Sequence, residues 1–164
     1  LSFFLSGIVV FFVAKSIKGR SEFAQVVLPI ATLVILLLMT TLLVSVFTGF
    51  RTGVEDLFIK EAEGAIKTTT PGRPSAGTMV NFILIASTGI IAMFKPAGLK
   101  DILGLLGFFV GAIGAVGVLG YLLNIPLLYY TYPGWSTAMA LHTALLFALL
   151  GVALFLLAIG KKRA

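Results

Sequence analysis

An all-α, polytopic membrane helical bundle is the fold class that three observations predict. Of the 164 residues, 59% are hydrophobic and 11% charged, with a mean hydropathy of +1.13. Soluble domains run at about 45–50% apolar and about 25% charged, and a core of this size could not hide so much apolar surface from water. The apolar residues also fall in continuous runs, without the period-two alternation of a membrane β-barrel. Glycine is abundant, at 18 residues, as it is in membrane helices.

Five segments carry the pattern, at 1–14, 26–47, 78–94, 102–123 and 137–160, and they form a single transmembrane domain over 1–164. Crossing a bilayer takes about 20 helical residues. The second, fourth and fifth segments meet that length and the third lies at the short end. The first, which stops before Lys15, is brief for a span and lacks the basic leader and small-residue cleavage site of a signal peptide. It is expected to be part of a helix of a longer protein.

The connections orient the spans. Lys15, Lys18 and Arg20 lie between the first two segments, Lys95 and Lys100 between the third and fourth, and Lys161, Lys162 and Arg163 after the fifth. The long second connection holds Arg51, Lys60, Lys67 and Arg73, and residues 124–136 hold no basic residue. The positive-inside rule places the first set in the cytoplasm. Tyr121, Tyr129, Tyr130, Tyr132 and Trp135, every Tyr and Trp in the chain, flank the fourth connection as an outer aromatic belt. The expected placement is the inner (cytoplasmic) membrane, multi-pass, with Leu1 outside and Ala164 cytoplasmic. An odd number of spans starting outside implies a sixth helix upstream.

Within the second connection, Val54, Leu57, Phe58, Ala62, Ala65 and Ile66 recur at helical steps among Glu55, Asp56, Lys60, Glu61 and Glu63. This predicts an amphipathic helix over about 53–66 on the outer surface, either a lid over a pocket or a tidy closure of a long loop. Pro74 and Ser75 then suit the start of the third span. A faint repeat also relates the segments. Phe3 and Gly7 share the spacing of Phe147 and Gly151, and a shift of 62 residues places Gly89 on Gly151, Asn81 on Thr143 and Ser75 on Thr137. The pattern is that of repeated helix hairpins.

Candidate functional residues are few. Without cysteine and with one histidine, the chain cannot build a zinc site, and a bis-imidazole haem would need a second chain. Glu22, Glu55, Asp56, Glu61, Glu63 and Asp101 all fall outside the spans, so a buried carboxylate relay is not expected. No phosphate-binding loop or Ser/His/Asp arrangement is present. No catalytic site, metal or cofactor is expected in this chain, although a following domain could be an enzyme. The net charge of +6 sits at helix ends rather than in a stripe with aromatics, so the expected partner is the bilayer and not nucleic acid.

Gly104, Gly107, Gly111, Gly114, Gly117 and Gly120 step along the fourth span by threes, apart from the four-residue step at Gly107–Gly111. They predict a helix-packing face, for the second or fifth span, for partner membrane helices or a second copy in a homodimer, or for a channel or lipid groove. His142, Asn81, Asn124 and Tyr121 fall at one depth near the outer surface, with Thr143 close by, and Trp135 and Tyr132 lie beyond them. Polar groups in hydrocarbon seek partners. The four are expected to line an outward-opening pocket for an unidentified small molecule, with Trp135 and Tyr132 at its mouth and His142 making it pH-responsive. The alternative is that each fastens one helix to its neighbour.

The stretch LGYLLNIPLLYYTYPGWSTAMALHTALLFALLGVALFLL, residues 119–157, resembles the end of the multi-helix membrane region at the N-terminus of bacterial sensory histidine kinases and diguanylate cyclases, often PAS-linked. The matching pieces are Leu119–Leu123, Leu128–Tyr129, Met139–Leu145 and Gly151. GRPSAGTMVNFILIASTG at 72–89 is similar to the repeated helix starts of that family, with Asn81 where a Thr is usual, and LSFFLSG at 1–7 looks like a first copy cut at its start. The resemblance implies a sensory input region for a two-component or cyclase effector following Ala164. Two other readings stand beside it: a structural subunit of a larger membrane complex, or a small-solute transporter or channel module. The orientation is checked directly, because the chain has no native cysteine. A membrane-impermeant thiol reagent on intact cells should label a cysteine placed at Thr69 and spare one at Gly98; labelling of Gly98 alone reverses the topology.

Overall fold

The structure is a computed structural model that describes residues 1–19, 22–50, 52–54, 73–130 and 137–160. Among these residues it is helical and without strands. The helices are α1 (Ser2–Lys18), α2 (Glu22–Thr48), α3 (Ala76–Phe94), α4 (Leu99–Leu122) and α5 (Leu141–Ile159), with a 3-10 turn at Pro126–Leu128. The helices α2 to α5 are each long and apolar enough to cross a membrane. The first is shorter: its 17 residues rise roughly 25 Å, against a hydrocarbon core of about 30 Å. Of the five expected spans, four therefore have the required length. The expected amphipathic helix at 53–66 lies almost wholly outside the described residues.

Local chemistry sets the helix ends. Ser75 caps α3, its hydroxyl accepting from the Thr78 N–H at 3.1 Å. At the other end Lys95 takes a left-handed conformation (φ 46) and its N–H bonds Ile91 O, the geometry that usually closes a helix on glycine. Gly98 (φ 80) then turns the chain into α4, which begins three residues before the apolar run at 102. Asp101 in the first turn of α4 and Glu22 in that of α2 complement the positive ends of those helix dipoles. The fifth helix starts at Leu141 and not at Thr137. Residues 137–140 stay outside the helix, and the Met139 N–H donates to Tyr129 O at 2.8 Å.

Packing is built on two contacts. The first joins α4 to α5. A Cβ at Gly151 would lie 2.3 Å from Gly111 N, and one at Gly114 would lie 2.5 Å from Ala148 N. Gly107 meets Leu154 and Phe155, Gly104 meets Ala158 and Gly117 meets Ala144. Backbones this close are possible only without side chains. The glycine face of α4 is filled from within the chain by α5, which leaves it no room for a second copy. The second contact sets α3 beside α2 and α1: a Cβ at Gly89 would lie 2.3 Å from Thr32 Oγ1 and 3.2 Å from Val9. Phe3, Phe82 and Phe147, from α1, α3 and α5, close the two halves together, with ring centroids 4.8–4.9 Å apart. The helices alternate in direction. Lys100 Nζ of α4 donates to Gly160 O at the far end of α5, so Lys15, Lys95 and Lys100 all belong to one end of the bundle, the basic end.

Three alanine substitutions separate seam from surface. Gly151→Ala should cost about 2 kcal/mol, within the overpacking range, because the new methyl meets backbone. Gly111→Ala, whose Cβ would sit 3.6 Å from Gly151 Cα, should cost clearly less. Gly7→Ala, with nothing within 4 Å, should be neutral or stabilise by about 0.5–1 kcal/mol. Reversible unfolding in mixed micelles reads all three, and equal costs at Gly151 and Gly7 would refute the seam.

Candidate functional site

At the end opposite the basic one, residues 123–130 and 137–140 return against α3 and α4. Leu123 closes α4 and Asn124 follows with φ 55, so Asn124 serves the turn: an exposed, left-handed residue of the type that tolerates this geometry. Tyr121 stacks on Tyr129, centroids 4.0 Å apart and planes 13° from parallel. Its hydroxyl donates to Met139 O at 2.7 Å. Met139 is thus held through both backbone groups, by Tyr129 and by Tyr121. Its buried side chain lies between helices, where its Cε comes 3.0 Å from the Cβ position of Gly77 in α3 and its Sδ 3.4 Å from that of Gly117 in α4. Beside it opens a cleft of about 430 Å³, bounded by Ser75 and Val80 of α3, Ile113 and Val116 of α4, and Tyr129 and Thr137 of the returning segment.

Polar side chains in the helices mostly bond within their own helix. Ser6 donates to Ser2 O, Ser87 to Ile83 O and Thr88 to Ile85 O, at 2.7–2.9 Å, which spares the apolar surroundings an open hydroxyl. Arg73 is buried just before α3, and its Nη2 donates to Ser45 Oγ at 2.6 Å and to Phe50 O at 3.5 Å. It fastens the end of α2 to the start of α3. Asn81 differs. It is fully buried, and neither its amide nitrogen nor its oxygen has a hydrogen-bond partner among the described residues. One turn after Gly77, it faces inward between the side of α3 that meets Met139 and the side where Phe82 meets Phe3 and Phe147. Thr32 Oγ1, pressed against Gly89, likewise has no hydrogen-bond partner among the described residues.

The expected pocket residues thus occupy different surroundings. Asn81 is inside, Tyr121 bonds the backbone of the returning segment, and Asn124 and His142 are exposed. The reason is azimuth. Depth along the membrane is common to all four, but His142 stands half a turn before Ala144, the first of the buried stripe Ala144, Phe147, Gly151 and Leu154, so it emerges on the opposite side of α5. That stripe was the signal that could have placed it. Trp135 and Tyr132 lie outside the described residues. The residues that sequence reasoning passed over are Met139, Arg73 and Thr32, whose roles come from neighbours distant in the chain.

The cleft can accept a largely apolar molecule with a hydroxyl-lined edge; Asn81, whose amide carries two N–H donors and a carbonyl acceptor, is buried outside its lining. Among the described residues no group of three or more His, Cys, Asp or Glu could hold a metal ion. No protein-family model, curated protein or solved structure matches the chain.

An open amide in an apolar interior costs about 1–3 kcal/mol. Asn81→Leu should therefore stabilise the bundle by about 1–2 kcal/mol in micelle unfolding. A loss of stability would mean that the amide has a partner in the folded protein.

Proposed function

We propose that this chain is a membrane-embedded sensory input domain, lying in the cytoplasmic membrane with the aromatic end outside and Ala164 facing a cytoplasmic effector such as a histidine kinase or diguanylate cyclase. The observation that carries the reading is the double backbone hold on Met139. It ties the wall of the outer cleft to the residue two positions before α5. A molecule entering the cleft meets Tyr129, Thr137 and Met139 and so acts directly on the start of α5. That helix, 19 residues long, carries a displacement about 28 Å to the basic end.

Two further features support it. The 119–157 resemblance covers this same cleft wall and helix. Hairpin repeats are supported by glycine usage: Gly89 and Gly151, 62 residues apart, each lie in the second helix of a pair, α2–α3 and α4–α5, and each meets the first helix of its own pair. A bundle of two such units has an interface between them, here the Phe3–Phe82–Phe147 cluster, whose packing a ligand can bias. The chain's partners in this reading are lipid, a small molecule outside and the effector inside.

The test is a fusion of the chain at Ala164 to the cytoplasmic part of a sensor kinase with a measurable output. Tyr121→Phe removes one hydrogen bond, about 1 kcal/mol, so the basal output should shift about fivefold. Met139→Ala should shift it at least as much, and Leu149→Ala, on the exposed face of α5, should leave it unchanged. Output indifferent to Tyr121 and Met139 but normal in level would overturn the coupling and favour a structural subunit.

A further inference from the structure

The second cavity lies at the basic end, about 270 Å³ in size, between the close of α1, the first turns of α2 and the close of α3. Its polar lining residues are Lys95, Ser16 and Gln25, and its apolar lining includes Leu28 and Met93. We propose that this cavity binds the phosphodiester headgroup of an anionic phospholipid, with the acyl chains running down over the adjoining apolar surface.

Charge is the first argument. Counted along the sequence, the connections and tail at this end hold eight basic residues against Glu22 and Asp101, whereas the opposite end holds four basic and four acidic residues. Along the sequence, the whole net charge of +6 thus falls in the connections and tail on the cavity's side. Glu22 in the first turn of α2 is exposed, and Lys95 lines the cavity. Basic pockets between membrane helices favour anionic headgroups for this reason.

The donor set is the second argument. Lys95, Ser16 and Gln25 can all donate, and phosphate oxygens only accept. The rim is the third, and it selects a lipid over a free anion. Phe94 beside Lys95, and Phe23 and Val26 beside Ala24 and Gln25, are large apolar side chains left 61–80% exposed. A soluble phosphate would bind the same donors and leave that rim bare, whereas a lipid covers it. The backbone of Lys95 adds a point of leverage: at φ 46 glycine is the residue of least strain, so removing this ammonium need not harm the fold.

The full chain, purified and exchanged into micelles containing equal phosphatidylglycerol and phosphatidylcholine of the same acyl chains, is read by native mass spectrometry. Phosphatidylglycerol should be retained over phosphatidylcholine, and Lys95→Gly should cut that preference about fivefold, the worth of one lysine at a membrane surface. Lys95→Arg should keep it. Met93→Trp, which fills the cavity and leaves every charge in place, should abolish it, with circular dichroism confirming the fold. Lys15→Gln should leave it intact, since the Lys15 ammonium lies over the Phe11 ring at 5.4 Å and does not line the cavity. Equal retention of both lipids by the unaltered chain, an unchanged preference in Lys95→Gly, or an equal loss in Lys15→Gln would overturn the proposal. Displacement of the lipid by millimolar inorganic phosphate would overturn its lipid source.

Discussion

Where α4 and α5 cross, there is no space for even one methyl group at Gly151, because Gly111 N, Gly111 Cα and Gly107 O all crowd its Cβ position. Lipid tails are as apolar as leucine, so no hydrophobic force drives two helices together inside a bilayer. Close van der Waals contact has to do it, and it is strongest where backbones touch. The seam fixes the rotation of α5 about its axis. That rotation in turn brings Phe147 to Phe3 and Phe82 and turns His142 away from the interior. The Met139 backbone, just upstream, is then positioned to bond Tyr129 and Tyr121.

The two ends of the bundle are finished differently. At the aromatic end, stacking and hydrogen bonds join Tyr121, Tyr129 and Met139, and the buried Arg73 joins α2 to α3 through Ser45 and Phe50. At the basic end the turn between α3 and α4 is minimal, closed by left-handed Lys95 and Gly98. Acidic residues open α2 and α4 there, and Lys15 lies in the last turn of α1, each matched to the helix dipole it faces. The same placement serves the individual helices and gives the bundle its charge asymmetry.

Between the ends, the interior carries an economy of polar groups. Ser6, Ser87 and Thr88 return their hydrogen bond to the helix they grow from, while Asn81 and Thr32 are buried without a partner among the described residues. Asn81 lies close behind the outer cleft, at the junction of the two helix pairs. A fold selected for stability alone would gain by replacing it with an apolar side chain.

The membrane helices were legible in the sequence because their placement is a one-dimensional matter. Transfer of a helix into hydrocarbon depends on the summed hydropathy of consecutive residues, so the limits of α2 and α3 were read to within a few residues. The start of α5 was misplaced by four residues: residues 137–140 stay outside the helix, and the Met139 N–H bonds Tyr129 O, a contact that no local pattern reveals. The glycine spacing in α4 announced a close approach but not its partner, since a missing side chain carries no mark of what fills the space. The placement of the candidate pocket residues was hidden for the same kind of reason. Sequence supplies depth, and depth was shared by Asn81, Tyr121, Asn124 and His142. Which way each faces is a rotation about the helix axis, and only the contacts of the assembled bundle set that rotation, burying Asn81 and leaving His142 outside.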